Sequence, residues 1–379
     1  MLTADRPETR LATRIAFLAA GFGLACWAPL VPIAKARLGV DDGVLGVLLL
    51  CLGLGSVAAM MATGPLASRF GSKPVILVGG LGMAAALPFL VLAKTPLTLG
   101  ISLAVFGASL GSLDVAMNIH AVEVEKGSDR PLMSGFHALF SIGGFAGSLL
   151  MTALLEAKIG ASTATFLCSV IMAVAMAVAW PRLLDTARPG NAPLFAVPRG
   201  VVLLLAILAA ISFLVEGAIL DWGALLLTTA GHVSTERGGI GYILFAIAMT
   251  AGRLGGDVLT ARIGDRNTLL WGGIAAIAGF AVILTSPVTS VAISGFFLVG
   301  LGAANIVPVL FRIAGSQTAM PSGLAVAAIT TTGYAGVLVG PAGIGFVANR
   351  FGLTASFWML AALLCAVPLC AGPATRSKR

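Results

Sequence analysis

Apolar residues in this chain gather into long runs separated by short polar breaks. Each run is roughly 18 to 25 residues long, the length a helix needs to cross about 30 Å of hydrocarbon. The pattern predicts twelve crossings, at about 15–34, 44–66, 75–93, 97–121, 133–156, 162–180, 200–227, 238–260, 268–286, 289–311, 322–347 and 354–371. Residues 1–13 are polar, and Arg6, Arg10 and Arg14 lead into the first run. Because that run is long and others follow it, the start reads as a start-transfer helix and not as a cleaved signal peptide.

The polar breaks repeat. Arg69-Phe70-Gly71, a basic residue, an apolar one and a glycine, returns as Lys158-Ile159-Gly160, Arg262-Ile263-Gly264 and Arg350-Phe351-Gly352. The first and third copies are 193 positions apart and the second and fourth 192, while neighbours within a half are separated by 89 and 88. Such regularity marks an internal repeat. Gly107 and Gly300, Gly143 and Gly336, and Gly147 and Gly340 share the 193-residue offset, and glycines at matching levels let helices approach closely. Within each half the two copies follow the second and the fifth run, hence fall on opposite membrane faces, as in an inverted three-plus-three repeat. The predicted fold is an all-α polytopic membrane protein of 12 transmembrane helices in two pseudo-symmetric six-helix bundles, 1–184 and 200–379. A cytoplasmic linker, 185–199, rich in proline and glycine, joins them.

Composition agrees: 58% of the 379 residues are hydrophobic, 10% charged, and mean hydropathy is +1.03, against about 25% charged in a soluble domain. The net charge of +8 does not point to nucleic acid, because the basic residues stand singly at segment ends. Their distribution orients the chain instead. Placing the N-terminus in the cytoplasm puts sixteen of the 23 lysines and arginines on that side and six on the other, with Arg253 inside the eighth run, so both termini are expected to be cytoplasmic. The five cysteines lie in apolar runs without metal-ligand spacing and read as apolar filler. No G-x-x-x-x-G-K-[ST] loop occurs and the other breaks are short, so the chain has no ATPase of its own. No cofactor or metal is expected.

Twelve runs in two halves, with Gly64-Pro65-Leu66-Ala67-Ser68-Arg69-Phe70-Gly71-Ser72-Lys73 between the second and third, resemble the major facilitator superfamily and its signature loop. Asp114-Val115-Ala116-Met117-Asn118, Ser134-Gly135-Phe136-His137-Ala138-Leu139-Phe140-Ser141 and Glu216-Gly217-Ala218-Ile219-Leu220-Asp221-Trp222 are similar to the YbjJ-like bacterial branch, itself distantly fucose-permease-like. The resemblance implies transport by alternating access, with the first, fourth, seventh and tenth spans lining a central cavity. It implies a gating set of Gly64, Ser68, Arg69, Gly71, Lys73, Arg262 and Gly264. Two positions depart from it. Ser68 stands where the family loop carries an aspartate that latches the cytoplasmic side, and Ser148 stands where the antiporter pattern has proline.

Ionisable groups inside hydrocarbon are costly and so mark function. Asp114, with Asn118 one turn on, is a proton-coupling or substrate group; a packing tie to a neighbouring helix is the alternative. Glu216 binds substrate or proton, or pairs across an outer gate. His137 is a proton relay or substrate donor, or else an interhelical partner of Asn118. His120 reads as interfacial. Trp27, beside Pro29 and Pro32, offers an aromatic wall at a bent helix, and Asn305 and Tyr334 offer neutral hydrogen-bonding groups. Arg253 and Asp257, i,i+4 on one helix, read as an ion pair supporting the loop at Arg262.

The favoured function is proton-coupled movement of a small polar or amphipathic organic solute across the bacterial inner membrane by a monomer, sugar-like uptake ahead of the alternatives. Those are proton-coupled export of drugs or metabolites and a non-transporting membrane sensor. No nucleophile–base pair suggests an enzyme.

Overall fold

The computed structural model describes residues 6–40, 42–185, 197–233 and 240–376. Most of the predicted linker lies outside them, as do Arg188, Arg237, Lys378 and Arg379. The described residues form helices and no strand. They are α1 (Pro7–Trp27), a 3-10 turn (Ala28–Leu30), α2 (Val31–Leu38), α3 (Asp42–Phe70), α4 (Ser72–Leu92), α5 (Pro96–Lys126), α6 (Met133–Glu156) and α7 (Ala161–Ala179) with a further 3-10 turn (Trp180–Arg182). There follow α8 (Val201–Thr229), α9 (Ile240–Thr285), α10 (Thr289–Ala303), α11 (Ile306–Ser316), α12 (Ser322–Phe351), α13 (Leu353–Leu364) and α14 (Ala366–Thr375).

Among the described residues, eleven helical stretches are long and apolar enough to cross a membrane. One of them, α9, has 46 residues and is interrupted at Gly264 (φ 80°, ψ 164°), so it holds two crossings and the described residues hold twelve. The chain clusters into two compact units. The first is Met1–Asp129, Phe136–Val197 and Val326–Ala328; the second is Arg130–Gly135, Pro198–Ala325 and Ile329–Arg379. In the first, α5 packs on α3 and α4, and α7 on α1 and α4; in the second, α9 packs on α10, α13 and α14. Val78, Phe145 and Leu369 are each more than 70% exposed, an apolar exterior suited to lipid and not to water.

Glycine sets the closest approaches. A Cβ on Gly107 would lie 1.9 Å from the Leu52 carbonyl oxygen, and one on Gly300 2.4 Å from that of Phe245. Leu52 and Phe245 are themselves 193 positions apart, so both halves use one crossing geometry. Gly143 meets the Leu18 oxygen at 2.1 Å and Gly336 the Ala210 oxygen at 2.6 Å in the same way. With no apolar effect to drive helices together in lipid, contact of this kind is what holds them.

The repeated basic–apolar–glycine motif is a repeat of conformation. Gly71 (φ 84°, ψ 160°) separates α3 from α4, Gly264 breaks α9, and Gly352 (φ 87°, ψ 156°) separates α12 from α13. All three lie in a region open essentially to glycine alone. One residue suffices to turn one helix into the next. The fourth copy differs: Gly160 is ordinary (φ −55°, ψ 140°) and the positive φ, 59°, falls on Lys158.

Candidate transport site

In the first unit, Asp114 and Asn118 sit together on α5, 7% and 1% exposed. The Asn118 amide donates to the Asp114 carbonyl (2.9 Å) and to its carboxylate oxygen Oδ1 (3.3 Å), while Asn118 Oδ1 is buried without a hydrogen bond among the described residues. The amide is thus spent on Asp114 and not on His137. His137, on α6, meets Phe17 of α1 edge-on at 5.3 Å between ring centres, and Phe17 stacks on Phe136 at 5.7 Å. Trp27 is the last residue of α1, where Pro29 turns the chain through Ala28–Leu30. Its buried indole N–H has no acceptor among the described residues, as befits a group placed at a break in a helix.

His120 corrects the interfacial expectation. It is fully buried, its Nε2 accepts from the Leu184 backbone N–H (2.9 Å) and its Nδ1 lies 3.2 Å from the Thr13 hydroxyl. Since Nε2 accepts, the ring is neutral with its proton on Nδ1. It donates to Thr13, whose hydroxyl donates in turn to the Thr9 carbonyl at 2.9 Å. The face of α5 that carries His120 is covered by α1 and by the chain after α7.

In the signature loop, Gly64 and Gly71 are buried, Ser68 is half-buried and Arg69 is exposed with its guanidinium over Phe70 (5.3 Å). Lys73 places its ammonium 4.8 Å from the centre of the Trp180 ring, a cation–π contact that ties the start of α4 to the end of α7. In the second-half copy Arg262 and Gly264 are exposed, and the adjacent Asp265 is ion-paired with Arg312 of α11.

The expected Arg253–Asp257 pair does not form. A carboxylate one turn along α9 is within reach, yet each finds a better match elsewhere. Asp257 accepts from the backbone N–H groups of Ser134 (3.0 Å) and Gly135 (2.7 Å). These first-turn amides of α6 have no intrahelical partner, and a carboxylate answers both the hydrogen bonds and the helix dipole. Arg253 turns instead to Glu216 of α8, Nη2 lying 3.4 Å from each carboxylate oxygen, and Nε donates to the Ala304 carbonyl at 3.3 Å. That carbonyl is available because the chain breaks between α10 and α11, where Asn305 (φ −109°, ψ 2°) donates to the Gly252 carbonyl at 2.9 Å. Tyr334, on α12, packs its ring 5.8 Å from Phe213 of α8, one turn from Glu216.

Glu216 and Arg253 are therefore an ion pair within one unit. The pair was foreseeable from charge alone: each stands deep in one of two consecutive apolar runs, and unlike charges in hydrocarbon are expected to meet.

Two units of helices, a broken helix in each and polar groups at membrane depth define a carrier. A family model described as Major Facilitator Superfamily matches residues 14–318, and the chain belongs to that family. An uncharacterised MFS-type transporter of Yersinia pestis is 48% identical over 368 residues, spanning 97% of this chain and 96% of the relative. Membrane protein MosC of Rhizobium meliloti is 31% identical over 347 residues, 91% of this chain and 85% of the relative. Among solved structures, the human organic anion transporter MFSD10 (TETRAN) superposes with TM-score 0.77 at 16% identity, covering 97% and 100% of the two chains. The E. coli fucose:proton symporter FucP does so with TM-score 0.77 at 13% identity, covering 99% and 100%. The protein is a membrane transporter of this family.

Proposed function

We propose that the chain couples a proton gradient to the movement of a small polar or amphipathic organic solute, with sugar-like uptake favoured. The observation that carries the proposal is the Glu216–Arg253 pair, 3.4 Å from nitrogen to oxygen and inside membrane-spanning helices. A proton on Glu216 cancels the charge that holds Arg253. Protonation is thereby linked to how α8 is fastened to α9, and through the Ala304 carbonyl to the break before α11. Asp114 with Asn118 supplies the polar group of the first unit. Likeness to a fucose:proton symporter supports the sugar-like preference. In this proposal a monomer works in a bacterial inner membrane with both termini cytoplasmic, and the solute and protons are its ligands.

The test is transport in proteoliposomes under an imposed pH gradient, with a panel of radiolabelled monosaccharides and polyols. Glu216→Gln and Asp114→Asn are each expected to lose gradient-driven accumulation while counterflow exchange survives. Accumulation unchanged in both variants would remove the proton from the mechanism. Outward movement alone, against organic anions and not sugars, would favour the exporter.

A further inference from the structure

The Glu216–Arg253 pair also constrains the charge of the solute, a consequence that rests on the proton coupling proposed above. Both Glu216 oxygens meet a single nitrogen, Nη2, at 3.4 Å. A charge-assisted contact closes to about 2.7–2.9 Å, and a carboxylate on arginine favours two parallel N–H donors. Glu216, tethered to α8, achieves neither. Its side chain is 22% exposed and that of Arg253 9%, so the pair is reached from the glutamate side. Arg253 Nε donates to the Ala304 carbonyl at 3.3 Å, which fixes the guanidinium independently of Glu216.

The neighbouring charges are spoken for or lie outside. Of the elements packed against α8, α9 brings Arg253, the exposed Tyr242 phenol, and Asp257, which the Ser134 and Gly135 amides satisfy. Arg312 of α11 is paired with Asp265 of α9. α12 brings Tyr334 beside Phe213, and α13 and α14 hold no Asp, Glu, His, Lys or Arg. Asp221 on α8 itself, Arg262 and Arg266 on α9 and Arg350 on α12 are exposed.

The empty pair, carboxylate and guanidinium, has no net charge. A proton on Glu216 (–COO⁻ + H⁺ → –COOH) leaves one positive charge on a buried guanidinium, which is costly unless paired. A neutral sugar leaves that charge standing. A phosphate ester, close to two negative charges at neutral pH, overshoots it. One carboxylate cancels it, and a free solute, unlike Glu216, can align along two N–H groups of the guanidinium. We propose that the solute is a sugar acid, a polyhydroxylated monocarboxylate that replaces Glu216 as the partner of Arg253 when Glu216 is protonated. One proton and one anion then move together. The empty and the loaded site are both neutral, so neither crossing of the membrane moves charge.

The test adds radiolabelled D-gluconate and D-glucuronate to the neutral sugars in proteoliposomes, with protein-free liposomes as the blank. An inward proton gradient is expected to drive accumulation of at least one of the two acids. A potassium diffusion potential, negative inside and without a pH gradient, should drive less than about a tenth as much, because the transported set carries no charge. In detergent, affinity for the acid that accumulates should fall about tenfold per pH unit on the alkaline side of the Glu216 titration, as one bound proton requires. Glu216→Gln, always uncharged, should bind that acid with a flat pH profile, and Arg253→Gln about tenfold more weakly or worse. The potential measurement uses the unaltered protein and decides the question if either variant fails to fold. Accumulation of neutral sugars and of neither acid, or acid uptake that follows the potential as strongly as the pH gradient, overturns the sugar-acid proposal and leaves proton coupling standing. No accumulation of acid or sugar under either gradient overturns both.

Discussion

Replacing Gly352 by alanine isolates the backbone term of the helix-to-helix turns. At Gly352 nothing lies within 4 Å of where the Cβ would go, and the same holds at Gly264 and Gly160, so steric collision contributes nothing at any of them. Gly352 and Gly160 are both N-cap residues, of α13 and α7, so any capping loss is common to both. What differs is φ: 87° at Gly352 and −55° at Gly160. A non-glycine residue in the first conformation costs ~1–3 kcal/mol. In a folding unit of 150–250 residues each kcal/mol moves the melting midpoint by about 2–4 °C, so Gly352→Ala is expected to melt ~2–12 °C below the parent. Gly160→Ala should stay within about 1 °C, the cap change and the lower unfolded-state entropy opposing one another. Melting in detergent, read by the fluorescence of a thiol-reactive dye or by loss of monodisperse protein, measures both. Equal shifts at the two glycines would refute the backbone reasoning. So would a Gly264→Ala variant that melts with the parent.

Two further outcomes follow from contacts within single units. Gly107→Ala and Gly300→Ala would place a methyl 1.9 Å and 2.4 Å from carbonyl oxygens; each should cost ~1–3 kcal/mol or more and reduce the yield of folded protein in parallel, since the two crossings are built alike. His120→Phe strands the Leu184 N–H in the interior and removes the donor to the Thr13 hydroxyl, which keeps its own bond to the Thr9 carbonyl; the cost is about 1–3 kcal/mol, and hydrogen exchange should show the Leu184 amide losing protection while the Asp114 region keeps it.

Most of the architecture is legible in the chain because hydrocarbon length and glycine placement are one-dimensional properties. Twelve runs, two halves and the fourfold motif all appear without coordinates, and Leu52–Gly107 recurs as Phe245–Gly300. Partner choice is legible only in part. The i,i+4 spacing of Arg253 and Asp257 allows a pair, but it cannot reveal that Glu216 and two helix-start amides compete for them. His120 shows the same limit from another side. Its angle around α5 is readable, but the helices that cover it are not. Lys158 shows a third kind: the motif survives in letters while the positive φ has moved two residues upstream.

The one-residue turns at Gly71, Gly264 and Gly352 also bear on how the chain is made. Helices joined by a single residue share one anchor point, so the second member of each couple must enter the bilayer antiparallel to the first and beside it. The smallest insertable piece at these places is then a helical hairpin, and the order of synthesis already fixes which neighbours meet. A chain severed at Gly264 would ask two separately delivered spans to rediscover, by lateral diffusion, a register that the uncut chain never has to search for.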